Sequence, residues 1–306
     1  MIPPVLLNNA VFALEVRRVR GWQDAQSPLW IGLHAFLWGV AGVFVPLSVG
    51  VCASYLPAIQ AGNADFAYAL VENAYTLTDY GLIAALLAGF VLDYVLLWQG
   101  VYRLNARRNI PFEELFSLTL FTLPDWHSAQ HAVSRLHGWR WTCALVGVRL
   151  GLTLWYMLAV ELAGAVVLDG NPQTAFDGLT TDLPSLISTL TLVIFYGILV
   201  LEPFWRARII TGLALALTRY VHHFVWGLAV GMGFLLCFQA AQWVWVIRAN
   251  RWVYPLVYGT LGYNVPLWVF DITDLIALIV PFSVSYAVIG AAVRWLGRAK
   301  PPVQLP

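Results

Sequence analysis

Apolar residues along this chain come in blocks rather than in alternation, and six of the blocks are long enough to cross a bilayer: Ile31 to Leu56, Leu82 to Val101, Trp141 to Leu168, Leu186 to Phe204, Phe224 to Ile247 and Leu275 to Trp295. A hydrocarbon core about 30 Å thick takes ~20 residues of helix, and backbone inside it must satisfy its own hydrogen bonds. No formal charge occurs from Ala25 to Ala64, and neither Lys nor Arg occurs between Arg20 and Arg103. The pattern predicts an all-α integral membrane bundle of six transmembrane helices, forming a single domain over residues 1–306.

The polar positions orient that bundle. With the amino terminus inside, fourteen of the Lys and Arg residues fall on the cytoplasmic side, Arg103, Arg135, Arg140, Arg206 and Arg208 among them. Only two, Arg248 and Arg251, fall outside. The stretch from Asp169 to Pro184 is acidic and has no cation. Positive residues flanking spans mark the cytoplasmic side, so both termini are expected there, in a multi-pass protein of the cytoplasmic (inner) membrane. Met1 to Leu7 is too short for the apolar core of a cleavable signal, so the first span is expected to act as an uncleaved anchor. The segment 248–271 is apolar and aromatic but carries Pro255, Gly259, Gly262 and Pro266. It is expected to be re-entrant or to lie in the outer interface as short helices.

Composition sharpens the class. Hydrophobic residues make up 60% and charged residues 11% of the chain, against roughly 45–50% and 25% in soluble domains. A net charge of +1 leaves no footprint for nucleic acid. The single lysine, Lys300, rules out a Walker phosphate loop within these residues, and neither a GxSxG elbow nor an HExxH helix is present. The chain therefore reads as no enzyme, and any ATP it uses is bound by another chain. Cys52, Cys143 and Cys237 have neither metal-site nor disulfide spacing.

Two segments outside the spans carry interaction signals. Residues 8–24 read as an amphipathic helix on the inner leaflet, with Val11, Phe12, Leu14 and Val16 toward lipid and Glu15, Arg17 and Arg18 toward water. The stretch 102–140 is the largest cytoplasmic element and is long enough for a short helix of its own. These residues resemble those of permease subunits of type-2 ABC exporters. The first segment is similar to that family's interface helix, with Ala10 where the family usually has Pro. Arg107-Arg108, Phe112 to Leu115 and the run to Thr122-Leu123-Pro124 resemble its coupling-helix region, and Glu202-Pro203-Phe204-Trp205-Arg206 also looks like members of the group. The resemblance implies a homo- or heterodimer of permease subunits and a separate ABC ATPase subunit docking on Glu113, Glu114, Thr122, Pro124, Asp125, His127 and His131.

Inside the spans, Asp93 and Arg149 each lie eight residues from the inner end of their helices, ~12 Å deep. A lone charge there is costly, so the two are expected to pair. Glu161 has no obvious cation and is a candidate substrate-facing or protonated carboxyl. His34 and His222 or His223 share a depth, as a bis-imidazole haem or pigment requires. Single histidines near an interface are ordinary, so no cofactor is expected, and a non-transport structural subunit holding such a group is the rival reading. His127 and His131 sit at i and i+4 with only Asp125 or His137 as further ligands, so no metal is expected.

Overall fold

The computed structural model describes residues 12, 13, 16, 17, 19, 21, 23–60, 64–106, 123–168, 183–221, 223–261, 283, 284, 286–293 and 295. Among these residues every regular element is helical and no strand occurs. A 3-10 turn (Asp24–Gln26) leads into α1 (Pro28–Phe36), a π-helical stretch (Leu37–Phe44) and α2 (Val45–Gln60). Four long helices follow: α3 (Ala64–Ala106), α4 (Leu123–Leu168), α5 (Leu183–Tyr220) and α6 (Phe224–Leu261). The described positions from 283 to 295 are helical as well.

Four stretches among the described residues are long and apolar enough to cross a membrane: Pro28–Val51, Ile83–Asn105, Ala129–Leu158 and Phe224–Gln242. They mark the chain as a membrane protein. Four of the six expected spans coincide with them; the block 186–204 lies inside α5, and the block 275–295 is described only in part. Large side chains such as Leu29, Val49, Leu87 and Val225 stand exposed on these helices, as a lipid-facing surface requires.

The helices run well past the apolar blocks. α3 has 43 residues and α4 has 46, so at 1.5 Å per residue they extend ~65 and ~70 Å, about twice the hydrocarbon thickness. Residues 123–140, expected as part of a separate loop, instead form the beginning of α4. Ala129, Ala132, Val133, Leu136 and Cys143 make one apolar stripe at helical spacing along that extension. The stripe is covered by Phe12, Val16 and Val19, which corrects the expectation that the amino-terminal segment lays Phe12 and Val16 into lipid. Each of those two side chains is 1% exposed. Two amphipathic segments cover one another because a protein surface with matching apolar spacing lies within reach. Arg17 remains exposed, and Val11, Glu15 and Arg18 lie outside the described residues.

Pro255 and Pro203 both lie inside long helices without ending them. α6 is continuous to Leu261 with Pro255 inside it and exposed, so the expected interruption after Arg248 is absent up to that point. α5 likewise runs through Pro203 to Tyr220, where an end at Phe204 was expected.

α4 is the central element and packs against α1, the π-helical stretch, α3 and α5. Its crossing with the first helix is made by glycines. A Cβ on Gly39 would meet the Gly147 carbonyl oxygen at 2.5 Å, and one on Gly147 or Gly151 would collide with the carbonyl oxygen of Ala35 or of Gly39. Gly147 and Gly151 thus bring two backbones together in the small-xxx-small manner of membrane helices. The π turns sit at this crossing, just ahead of Pro46, whose ring has no N–H to give and crowds the preceding turn.

Candidate functional site: a buried ionic network

At the centre of the bundle four charges lie out of contact with solvent. Asp93 on α3, Arg149 on α4, and Glu202 and Arg206 on α5 are between 1% and 4% exposed. Arg149 Nη1 donates to Glu202 Oε2 at 2.7 Å and to the Leu199 carbonyl oxygen at 2.8 Å. Arg206 Nη1 donates to Asp93 Oδ2 at 3.1 Å, and its Nη2 pairs with the other oxygen of Glu202. The charges alternate in space and sum to zero, the arrangement that makes ion burial tolerable where water is absent.

Neutral side chains complete the shell. The Tyr286 hydroxyl donates to Glu202 and accepts from Arg206 Nε at 3.1 Å. Arg206 Nη2 also donates to Gln242 Oε1 at 3.3 Å. Gln239 Nε2 donates to Asp93 Oδ2 at 3.4 Å, and Tyr94 donates to Gln239 Oε1 at 3.2 Å. The Phe90 ring lies 5.3 Å from the Arg206 guanidinium carbon, close enough for a cation–π contact. One cluster therefore joins α3, α4, α5, α6 and the helical segment around Tyr286.

The Leu199 contact has a local cause. Pro203 brings no N–H to α5, so the carbonyl four residues earlier, that of Leu199, loses its helical donor. Arg149 supplies it. In hydrocarbon an orphaned carbonyl would cost several kcal/mol, and the guanidinium removes that cost from a neighbouring helix.

The expected pairing of Asp93 with Arg149 is corrected by this geometry: both residues are in the cluster, but Arg149 pairs with Glu202 and Asp93 with Arg206. The sequence places Arg206 on the cytoplasmic flank, because the apolar block ends at Phe204. Glu202, Tyr286, Gln239 and Gln242 carried no expectation as site residues. The one local signal was the i, i+4 spacing of Glu202 and Arg206, which places both on one face only if the helix continues through Pro203.

The remaining candidates lie elsewhere. Glu161 is in α4, with its side chain outside the described ones. Pro124, Asp125 and His127 begin the same helix, also without described side chains, and Glu113, Glu114 and Thr122 lie outside the described residues. His131, expected on a docking face, is half-buried against α5, with Nε2 3.2 Å from both the Arg208 carbonyl oxygen and Thr211 Oγ1. His34 Nδ1 lies 3.0 Å from the Trp30 carbonyl oxygen, and its ring meets Trp139 edge-on at 5.1 Å. His223 is exposed, and His222 lies outside the described residues. No group of three or more potential metal ligands occurs among the described residues.

The fold and cluster together define a polytopic helical membrane protein whose long helices are tied by a charge-balanced core. The chain matches no protein-family model, no curated protein and no solved structure.

Proposed function

We propose that this chain is the membrane-spanning permease subunit of an ATP-driven exporter, with ATP hydrolysed by a separate chain. In this reading it has six spans and two cytoplasmic termini, lies in the cytoplasmic membrane, pairs with a second permease subunit and catalyses no bond chemistry itself. The observation that carries the proposal is mechanical. α4 outruns the bilayer, and its extension from Leu123 follows residues 107–122 in the chain, at the end where the span of α3 stops at Asn105 and the cations gather. Deep in the bundle one ion pair ties α4 to α5 and another ties α3 to α5, with Glu202 and Arg206 paired to each other on α5. A push on the α4 extension therefore moves charged groups inside the membrane as one body, which is what an engine on another chain needs. With Lys300 the single lysine of the chain, no Walker phosphate loop lies in these residues, which supports nucleotide chemistry on a partner chain. The motif resemblance of residues 8–24 and 107–124 supports the same class.

The test is copurification in mild detergent followed by charge reversal. An ATPase chain is expected to accompany the wild type, and Glu113→Lys with Glu114→Lys is expected to release it or to uncouple ATP turnover from transport. The wild-type protein purifying without any ATPase, from cells that also express the genes adjoining its own, would overturn the proposal.

A further inference from the structure

Arg135 on α4 and Arg208 on α5 share a seam without a counter-charge. His131 Nε2 lies 3.2 Å from both the Arg208 carbonyl oxygen and Thr211 Oγ1, so the two helices touch here. Arg135 stands one turn from His131 on the same face of α4, and the charges of Arg135 and Arg208 are near enough to act on each other. Among the described residues no carboxylate pairs with either guanidinium, since Asp93 and Glu202 are taken up by Arg149 and Arg206. Arg135 is half-buried and Arg208 is exposed. Two like charges held side by side repel, a shared anion removes that repulsion, and the guanidinium fork suits a phosphate in particular.

Position says which kind of phosphate. Arg135 lies six residues ahead of the apolar block that begins at Trp141, and Arg208 four residues past the block that ends at Phe204. At 1.5 Å per residue both stand ~6–9 Å beyond those blocks. That is headgroup depth, because the polar zone adds ~5–8 Å on each side of the hydrocarbon core. Arg208 also ends an exposed face of α5. Leu190, Ile194, Leu201 and Trp205 recur along it at helical spacing and are between 42% and 56% exposed, and a Cβ on Gly197, on the same stripe, would meet nothing within 4 Å. From Leu190 to Trp205 the stripe runs ~22 Å, more than the ~15 Å of hydrocarbon in one leaflet. An apolar track that ends in two uncompensated cations is complementary to a lipid with an anionic head.

We propose that Arg135 and Arg208 form a binding site for the phosphodiester of an anionic phospholipid, one acyl chain of which lies along the Leu190 to Trp205 face of α5. The single negative charge of the lipid offsets the repulsion between the two guanidinium groups. A zwitterionic lipid offers the same phosphate but brings an ammonium group beside the pair, so it is held less well. A soluble phosphate ester has no chain to lay on the stripe. The assignment does not rest on the permease reading, because it needs only a bilayer.

The experiment is native mass spectrometry of the full chain, delipidated in detergent and titrated with dioleoyl phosphatidylglycerol or dioleoyl phosphatidylcholine. One phosphatidylglycerol is expected to be retained at least tenfold more strongly than phosphatidylcholine, and excess glycerol phosphate is expected to leave it in place. Arg135→Gln and Arg208→Gln are each expected to abolish the preference, whereas Arg248→Gln, which removes an exposed arginine of α6, is expected to keep it. Circular dichroism checks that the variants hold the wild-type helix content; should Arg135→Gln lose it, the exposed Arg208→Gln decides. Equal retention of the two lipids, or a loss as large in Arg248→Gln, would mean unspecific attraction and would overturn the proposal. Displacement by glycerol phosphate would overturn it in favour of a site for a soluble anion. A copurifying protein lost from both arginine variants while they still retain phosphatidylglycerol would overturn it in favour of a protein-docking surface.

Discussion

Arg149 and Arg206 make the same chemical group do different work, and the difference is set by what lies opposite. Arg206 is surrounded by Asp93, Glu202, Tyr286 and Gln242. Arg149 has one carboxylate and one carbonyl. Removing Glu202 takes from Arg149 its one carboxylate while Arg206 keeps Asp93, so Glu202→Gln is expected to destabilise the protein by about 3–5 kcal/mol, the usual cost of leaving a buried charge without its partner. A double-mutant cycle in detergent melts separates the pairs. Arg149→Met with Glu202→Gln should show strong coupling, because each single change already breaks the contact, and Arg149→Met with Asp93→Asn should be closer to additive. Coupling as large for the second pair as for the first would contradict the pairing described above. The spacing of Asp93 and Arg149 within their helices made a common depth readable; the partner choice was not, because a third helix inserts Glu202 and Arg206 between them.

At the scale of elements, the crossing of the first helix with α4 depends on two backbones touching. Gly39→Ala gains helix propensity and yet is expected to destabilise by about 1–3 kcal/mol, since the added methyl meets a carbonyl oxygen at 2.5 Å. Gly32 lies in α1, just ahead of the π-helical stretch, with nothing within 4 Å of its Cβ direction. Gly32→Ala should therefore stabilise by up to about 1 kcal/mol. Melting temperatures of the two variants moving in the same direction would show that packing does not decide the crossing. The element boundaries that local reading missed have one cause in common. Pro255 reads as a stop and the apolar block of α5 ends just after Pro203, but a proline costs a helix one donor, and a bundle can resupply it, as Arg149 does for Leu199. The extension of α4 toward Leu123 was hidden for the opposite reason, since its apolar stripe is too sparse to read as a span and becomes a packed surface only when Phe12 and Val16 cover it.

For the whole molecule the open quantity is orientation. The cation bias favours both termini and residues 107–122 in the cytoplasm, and the burial of Arg206 removes one arginine from the flanking set without disturbing that bias. Ala175→Cys is expected to react with a membrane-impermeant reagent only from outside, and Lys300→Cys only from the cytoplasm, in a background lacking Cys52, Cys143 and Cys237. Labelling of position 175 from the cytoplasm would reverse the arrangement and place the α4 extension from Leu123 on the wrong side for an ATPase.

What the sequence by itself determined is the class: an all-helical membrane protein. Hydropathy is a local quantity, and about twenty apolar residues in a row have one low-energy home whatever the rest of the chain does. Only the tertiary structure decided which charges neutralise which, because Asp93, Arg149, Glu202, Arg206 and Tyr286 are scattered over nearly two hundred residues of chain. Their energies depend on distances that no spacing rule contains. The uncompensated pair of Arg135 and Arg208 belongs to the same category. A sequence shows that arginines are present, and only packing shows which of them share a seam without a carboxylate.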